Sequence, residues 1–395
     1  DQKAAIMDQI EGIISDPEVE GTGIKAALTT LSQALADFSQ SPYQETNANI
    51  VMNAFKGVTQ VLNEYDANLK TLMEQTKNDL SVAVEDINTK LDQLSELNSS
   101  IAHEIFSNND YDGVNYGPND LLDQRNVILD DLSRYGDVQV TDLEDGKIQV
   151  KINGKVVVDA SGASYTNDKL NIGSDGVTLT WNSNNQNANL GAGAIRGFTD
   201  MLTGADPINA GIPYYQNKMD NFAQTLADVF NKKIHADDPD FPDKYKFLLQ
   251  GGVDGKVTAG NISISDQWAD DVSYIIRKQN PDGELDNQDI LDMKAAFEQD
   301  FNFGGEYTGT FSEFITSVTN TLGSGIKTNS ARMSASLAIA ESADSERMGV
   351  SGVSLNEEGI SMMTYNKAYQ ALGRLMTTMD EQLDMIINKM GIVGR

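Results

Sequence analysis

Residues 362–393 read MMTYNKAYQALGRLMTTMDEQLDMIINKMGIV. Apolar side chains recur here at alternating intervals of three and four residues, the a/d pattern of a helix that pairs lengthwise with another helix. Such a helix would extend for about 50 Å at about 1.5 Å per residue. We predict an assembly helix; the alternative is a core helix that folds back on its own domain. Its apolar stripe, the C-terminal seam, consists of Met362, Tyr365, Tyr369, Leu372, Met376, Met379, Leu383, Ile386, Met390 and Val393.

The composition excludes several classes of partner and chemistry. The 395 residues include 59 acidic and 29 basic side chains, which gives a formal net charge of −30. Because this charge repels phosphates and anionic membrane surfaces, we expect no nucleic-acid partner and no membrane partner. Cysteine is absent, and two histidines, His103 and His235, are too few for a histidine-based metal site. The sequence therefore predicts no metal and no cofactor.

Helical periodicity marks both ends of the chain. Residues 2–36 are predicted to form two helices, and a long helical pattern follows from about residue 45 to 106. The later part of that pattern holds a second apolar seam with one polar member, Asn98. This asparagine either fixes register against a partner helix or tolerates a partly wet position. A further helical segment is predicted at 310–342.

The middle of the chain changes to the alternating pattern of half-buried strands. Asp145-Gly146 and Asn153-Gly154 separate the first of these runs, and such pairs are strong hairpin signals. A helical pattern at 214–234 interrupts the series. The predicted strands are 137–141, 147–152, 156–158, 170–172, 177–181, 246–249 and 262–264.

These patterns predict an α+β fold. Both chain ends form an elongated helical-bundle rod, a β-rich domain is inserted into it, and a coiled-coil-like helix follows at the C-terminus. The predicted parts are 1–135 and 306–349 for the rod, 136–305 for the inserted domain, with its helical segment 212–235 packing toward the rod, and 350–395 for the assembly helix.

Motifs that could carry chemistry are weak. Asn108, Asp110, Asp112 and Gly113 fit the first half of a calcium loop, but its twelfth position is Asn119, where a glutamate is expected. The loop is either a weak cation site or an Asx-rich solvent loop.

A pair of carboxylates, Glu357 and Glu358, is of the kind that acid–base hydrolysis uses. Consecutive residues do not share a helix face, however, and 59 acidic residues produce such pairs by chance. We therefore predict that the protein is not an enzyme.

Three stretches resemble one family, the flagellar hook-associated protein FlgK. Asn119-Asp-Leu-Leu-Asp-Gln-Arg125 is similar to the family's N-D-L-L-D-Q-R-D and departs from it at Asn126. Residues 351–358, SGVSLNEE, resemble S-G-V-N-L-D-E-E, and residues 365–371, YNKAYQA, resemble the following Y-Q-x-A-Y-Q-A. The ending 387–395 looks like those of Gram-positive, clostridial-type members. The motif residues singled out are Asn119, Asp120, Asp123, Arg125, Glu357 and Glu358.

The first of these motifs allows two structural interpretations. It forms either a salt-bridged junction between the long helix and the next helix, or a helix cap at Asn119 or Asp120 with an ordinary Arg–Asp pair.

The resemblance implies a structural protein, secreted by flagellar type III export and located at the junction of hook and filament. It implies several partners: further copies of the chain in a ring, the hook protein, the second junction protein, and a cytoplasmic export chaperone that binds the C-terminal region. Family members also carry an N-terminal helical segment that precedes residue 1 here, and we expect that segment to be the natural partner of the C-terminal seam.

The predicted function is to join two helical tubes of different stiffness, hook and filament, by ring assembly and seam packing. Two alternatives stay open at this point. One is another flagellar axial protein, the filament-side junction protein or the hook protein, against which residues 119–125 argue. The other is an acidic secreted protein, either a calcium-binding adhesin or a hydrolase.

Overall fold

The computed structural model describes residues 2–14, 22–108, 118–160, 166–188, 190–234, 247–252, 255–276 and 287–389. The chain divides into two compact units, a first unit of residues 1–330 and a second unit of residues 331–395. Helices and small antiparallel sheets both contribute to the first unit, so the predicted α+β class is confirmed. The described elements of the second unit are helical.

Helices form at both ends of the chain, as the apolar spacing predicts. Ile6 and Ile10 on the first helix, and Leu31 and Leu35 on the second, are buried because they recur on one helix face. The helices are α1 (Gln2–Ile14), α2 (Ile24–Gln40), α3 (Glu45–Asn108), α4 (Asn119–Ser133), α5 (Gly193–Thr203), α6 (Ile212–Lys233), α7 (Asp266–Asp270), α8 (Gln288–Ala295), α9 (Phe311–Ser351) and α10 (Leu355–Asp384).

Helix α3 is the element on which the first unit is built. It has 64 residues, which corresponds to about 96 Å at 1.5 Å per residue. Leu80, Leu91 and Leu94 of its predicted seam are fully buried, because helices α1, α2, α4, α5 and α6 and several strands pack along α3. The long helix predicted at 45–106 is therefore confirmed.

The strands form small antiparallel sheets. One sheet has the order β1-β2-β3-β4, and the other strands pair as β5-β6, β7-β8 and β9-β10. The strands are β1 (Val138–Asp142), β2 (Ile148–Ile152), β3 (Lys155–Asp159), β4 (Thr166–Asn167), β5 (Leu170–Ile172), β6 (Leu179–Trp181), β7 (Leu249–Gln250), β8 (Ser263–Ile264), β9 (Phe301–Phe303) and β10 (Tyr307–Gly309).

Both predicted hairpin turns are confirmed. Asn153 and Gly154 adopt left-handed backbone conformations (φ 49° and 80°), and so do Asp145 and Gly146 (φ 58° and 67°). A side chain at Gly146 would meet the Ile105 Cδ1 atom at 2.5 Å. Glycine therefore lets the β1–β2 turn rest directly on helix α3.

The structure gives Asn98 a role that differs from both interpretations of the sequence. Its side chain is fully buried, its Nδ2 donates to the Ile148 carbonyl oxygen (2.9 Å), and its Oδ1 accepts from the Ile148 amide (3.1 Å). The side chain therefore neither faces a partner helix nor meets water. The side chain makes the two hydrogen bonds that a neighbouring strand would make with Ile148 of β2. The buried amide and carbonyl of Ile148 are thereby both satisfied.

Two other asparagines of α3 also hold backbone groups. Asn88 makes the same pair of bonds with Leu170: Nδ2 to the carbonyl oxygen at 2.9 Å and the amide to Oδ1 at 2.8 Å. Asn63 Nδ2 donates to the carbonyl oxygens of Ala259 (2.8 Å) and Ile262 (3.1 Å). One helix thus positions three separate segments of the chain through their peptide groups.

The middle of the chain contains more helix than its strand pattern predicts. The helix predicted within 212–235 is observed as α6 (Ile212–Lys233), and residue 235 lies outside the described residues. Helices α7 and α8 were not predicted, because helices this short show little periodicity. The strand predicted at 246–249 is observed as β7, two residues long, and residue 246 lies outside the described residues. The β9–β10 hairpin was also missed, since three residues per strand are too few to alternate visibly.

An aromatic cluster joins the middle of the chain to helix α9. The rings of Phe303 and Phe314 stack with centroids 4.3 Å apart, and Phe222 of α6 meets Phe311 edge-on at 5.5 Å. These residues belong to one continuous hydrophobic core in the first unit. The boundaries proposed from sequence at 135/136, 305/306 and 349/350 stay predictions.

Helices α1 and α9, from the two ends of the sequence, meet within the first unit. Asn329 Nδ2 lies 2.9 Å from the Met7 sulfur, and a side chain at Gly325 would meet Met7 Cε at 2.5 Å. This contact agrees with the prediction that both chain ends contribute to one helical body.

Candidate assembly surface

The C-terminal seam lies on helix α10 of the second unit. Its described members, from Met362 to Ile386, are between 52% and 77% exposed, and α10 has no buried residue. Met390 and Val393 lie outside the described residues. Large apolar side chains exposed along a whole helix face make a surface suited to binding another apolar surface.

Helix α10 begins with a side-chain cap. Ser354 Oγ accepts a hydrogen bond from the Glu357 amide at 3.4 Å, and Glu357 and Glu358 occupy the first turn. Carboxylates in the first turn stabilise a helix by interacting with its positive end. The structure therefore places this acidic pair in the first turn of α10.

The helix changes its winding before the seam ends. Residues Met385–Lys389 form a π-helical turn, in which each amide bonds to the carbonyl five residues earlier. Asn388 Nδ2 donates to Asp384 Oδ1 at 2.7 Å across this junction. The strict spacing in the sequence did not predict this turn, and Ile386 lies within it.

Two apolar side chains beside the seam were left out of the sequence prediction. Leu375 is 55% exposed and Ile387 is 72% exposed, and in the a/d register of the seam they take the g and e positions, which flank the stripe. Selecting one line of three-four spacing excludes such flanking positions. They make the apolar surface broader than a two-residue-per-heptad stripe.

At Asn119–Arg125 the structure differs from both interpretations of the sequence. Helix α4 begins at Asn119, but its N-cap is Pro118, and no side chain caps the helix. Asn119 and Asp120 therefore lie inside the first turn, exposed, where Asp120 interacts favourably with the helix dipole. Asp123 is also exposed. The predicted cap at Asn119 or Asp120 is wrong because the helix starts one residue too early for either side chain to provide it.

Arg125 binds backbone where an acidic partner was expected. Its Nη1 donates to the Gly146 carbonyl oxygen at 2.7 Å, which ties α4 to the β1–β2 turn. Burial lowers the pKa of Arg125, and the negative charge of Asp142 opposes this shift. Among the residues that the structure describes, Arg125 forms no ion pair, and its buried Nε has no hydrogen-bond partner. The observed interaction is a side-chain-to-backbone bond, and neither acidic residue of the motif, Asp120 or Asp123, pairs with Arg125.

Tyr135 follows the same helix and gives a pH-dependent prediction. Burial, together with the hydrogen bond from its hydroxyl to Asp86 Oδ2 (2.7 Å), raises the pKa of Tyr135 to about 12. In the unfolded chain the pKa is about 10. The neutral phenol therefore stabilises the fold fully below pH ~10, and this contribution is lost as the pH rises through ~12.

We expect Tyr135→Phe to lose less stability than the unsubstituted protein between pH 10 and 12, measured by urea unfolding across that range. The exposed Tyr43 supplies the control, because Tyr43→Phe removes a phenol without this hydrogen bond. Equal slopes for both variants and the parent would contradict the assignment.

The residues considered for chemistry do not come together. His103 is exposed on α3, whereas His235 and residues 109–117 of the candidate cation loop lie outside the described residues. Within the described ranges there is no group of three or more histidine or acidic side chains arranged to hold a metal. No helix in that part of the chain is long and apolar enough to cross a bilayer. The Asn119–Arg125 motif belongs to the first unit and the seam to the second.

Comparison with known families gives two matches in this chain. The family described as flagellar hook-associated protein FlgK helical domain matches residues 7–241, more than half of the chain. The family described as flagellar basal body rod FlgEFG protein C-terminal matches residues 345–389, which include the described part of the seam.

Two individual proteins are similar to this chain. Flagellar hook-associated protein 1 of Bacillus subtilis (strain 168) is 26% identical over 436 aligned positions, covering 100% of this chain and 81% of that protein. The structure of the flagellar hook junction protein FlgK from Burkholderia pseudomallei is similar with a TM-score of 0.46 at 19% identity. That match covers 59% of this chain, and the chain spans 41% of the Burkholderia protein.

Proposed function

The chain belongs to the flagellar hook-associated protein FlgK family, a family of structural flagellar proteins, and from this premise we propose that it joins hook to filament. In this proposal copies of the chain assemble into a ring, and the C-terminal seam packs against a helix in the assembled structure. The protein is secreted through the flagellar export apparatus. Its partners are further copies of itself, the hook protein, the second junction protein and an export chaperone that binds the C-terminal region.

One observation carries the proposal: the exposed seam on α10. Tyr365 and Tyr369 are each 77% exposed and Met376 is 70% exposed, although their spacing is that of a helix-pairing face. Soluble proteins rarely expose such a contiguous apolar surface unless it binds something. The segment that carries the seam matches the C-terminal family of flagellar rod proteins, which supports an axial assembly as the occupant.

Photo-crosslinking in assembled flagella tests the proposal. A photoreactive phenylalanine analogue at Tyr369 keeps the aromatic character of the seam, and the same analogue at Met363 provides a control on another face of α10. We expect crosslinks between separate polypeptides from position 369 in intact flagella, few from position 363, and none from either position in the purified protein. The absence of crosslinks between separate polypeptides from position 369 in intact flagella would contradict assembly through the seam.

We expect the purified chain to be monomeric in dilute solution at low ionic strength. Each copy carries a net charge of −30, and long-range repulsion acts over a Debye length of about 30 Å at ~0.01 M salt. Multi-angle light scattering across a dilution series measures this directly. A dimer that survives dilution, and does so equally in high salt, would show that charge does not hold the copies apart.

We also propose that the protein has no catalytic activity. The parent protein and the variants Glu357→Ala, Glu358→Ala and His103→Ala should all show no hydrolase activity. Because these positions are exposed, each substitution should change the free energy of unfolding by less than about 1 kcal/mol. A hydrolase panel and a melting curve with and without calcium separate this proposal from the adhesin and hydrolase alternatives. A reproducible activity lost in one variant, or a large calcium-dependent rise in melting temperature, would favour those alternatives.

A further inference from the structure

Strand β1 is an open edge of the four-stranded sheet. In the sheet order β1-β2-β3-β4 its one strand neighbour among the described residues is β2. The Leu143 amide bonds to the Lys147 carbonyl oxygen at 2.8 Å, and the Asn153 amide bonds to the Asp137 carbonyl oxygen at 2.8 Å. In an antiparallel ladder, alternate residues bond to one neighbour, so residues 139 and 141 also face β2.

The remaining backbone groups of β1 therefore point away from the sheet. They are the amides and carbonyls of Val138, Val140 and Asp142, which have no hydrogen-bond partner within the described ranges. The strand is exposed from Gln139 to Asp142. It thus presents a row of unpaired donors and acceptors at the spacing that another strand requires.

This edge has few of the features that usually prevent strand addition. Strand β1 contains no lysine or proline, and its register with β2 is regular over all five residues. The opposite edge, β4, is only two residues long, and the register irregularity in this sheet lies between β2 and β3. Short strands, bulges, proline and charged side chains are the common protections of an edge, and of these β1 carries only Asp142, at its last position.

The charges around β1 define what could bind there. Asp137, Asp142, Glu144 and Asp145 all lie between residues 135 and 146. Lys147 pairs with Asp145 at 3.6 Å, and Lys151 lies opposite Gln139 on β2. Asp137 and Glu144 are exposed and form no ion pair within the described ranges, so they leave an excess of negative charge beside β1. A basic segment is therefore favoured over a second copy of this chain, whose net charge of −30 would be repelled.

The side chains of β1 indicate the pattern of that segment. Val138 packs against the core, whereas Val140, on the same face of the sheet, stays 45% exposed. An apolar side chain of an added strand could cover Val140, while alternate side chains would point toward the face of Gln139 and Thr141.

We propose that the outer edge of β1 binds an extended segment of another protein, with alternating basic and apolar residues, by adding it to the sheet as a further strand. The backbone groups of Val138, Val140 and Asp142 supply the hydrogen bonds, and the acidic residues around them attract the segment. This inference concerns the first unit and does not depend on the C-terminal seam, which belongs to the second unit.

The probe is the peptide acetyl-KVKVKVK-amide, and the readout is amide hydrogen exchange of the full chain followed by NMR. We expect the peptide to slow exchange of the Val138, Val140 and Asp142 amides by about tenfold or more. A matched peptide in which proline replaces the central valine should not slow exchange, because it cannot continue the ladder.

Two substitutions at one position separate edge pairing from other binding. Val140→Pro removes an amide that points outward and leaves the bonds between β1 and β2 in place, so the fold should persist while peptide protection is lost. Val140→Thr keeps the amide and the β-branched shape, and peptide protection should remain. If Val140→Pro unfolds the sheet, the charge variant Asp137→Asn/Glu144→Gln decides instead: it should weaken binding and reduce its salt dependence.

Three results would overturn the proposal. One is the absence of protection at saturating peptide, and another is equal peptide protection in Val140→Pro and Val140→Thr. The third is protection that appears without peptide and grows with protein concentration, since a second copy of the chain would then occupy the edge.

Discussion

Leu383→Asp is expected to abolish swimming in cells whose single copy of the gene carries this substitution, while the protein is still made and exported. Leu383 is 52% exposed in the isolated chain, so an aspartate there meets water and leaves the fold intact. In the assembled seam the same carboxylate would be buried against an apolar partner. An unpaired buried charge costs several kcal/mol, which is enough to prevent a stable contact between copies.

A matched variant distinguishes seam packing from a general effect of charge on α10. Met363 is 58% exposed on the same helix, and at 3.6 residues per turn it lies about 160° around the helix axis from Leu383. Met363→Asp should therefore keep most of the motility. Swimming in soft agar and electron microscopy of filaments measure both variants. Normal filaments on Leu383→Asp cells would show that the seam is not the assembly contact.

Asn98→Leu is expected to destabilise the first unit by about 2–5 kcal/mol, because the amide and carbonyl of Ile148 would both stay buried without a partner. Leucine has the same branching as asparagine and leaves no cavity, so the loss reports mainly on the two hydrogen bonds. Both tryptophans, Trp181 and Trp268, lie in the first unit, so urea unfolding followed by tryptophan fluorescence reports on this unit.

Asn88→Leu is the control for this measurement. Asn88 makes the same pair of bonds, with Leu170, but its side chain is only half-buried. Water can therefore replace part of what is lost, and we expect a smaller cost of about 1 kcal/mol. Equal losses in the two variants would mean that burial does not set the importance of these asparagines.

The elements with long, regular patterns could be predicted from the sequence. The helices α3 and α10 were predicted correctly from their three-four spacing, and so were the turns at Asp145-Gly146 and Asn153-Gly154. Each of these features depends on residues close together in sequence. The motifs at residues 119–125 and 351–371 are also local, so they were sufficient to indicate the family, and the match over residues 7–241 confirms it.

Two of the interactions that failed as predictions depend on distant residues. The role of Asn98 required knowing that Ile148, fifty positions later, would lie beside it with its backbone unpaired. Arg125 was paired with a carboxylate in the prediction because neighbouring acidic residues are visible in the sequence, whereas the Gly146 carbonyl oxygen is brought to it only by the fold. Short elements such as α7 and β9 follow from tertiary packing, which overrides weak local preference.

The asparagines of α3 have a consequence for how this protein can diverge. These side chains hydrogen-bond to backbone peptide groups, which every residue type carries. The hydrogen bonds of Asn63, Asn88 and Asn98 therefore do not require a particular side chain at Ala259, Leu170 or Ile148. Exposed neighbours such as Asn171 neither bond to these asparagines nor pack in the core. Substitutions can therefore accumulate on the solvent side of the attached segments while the helix keeps each segment at its place along the axis.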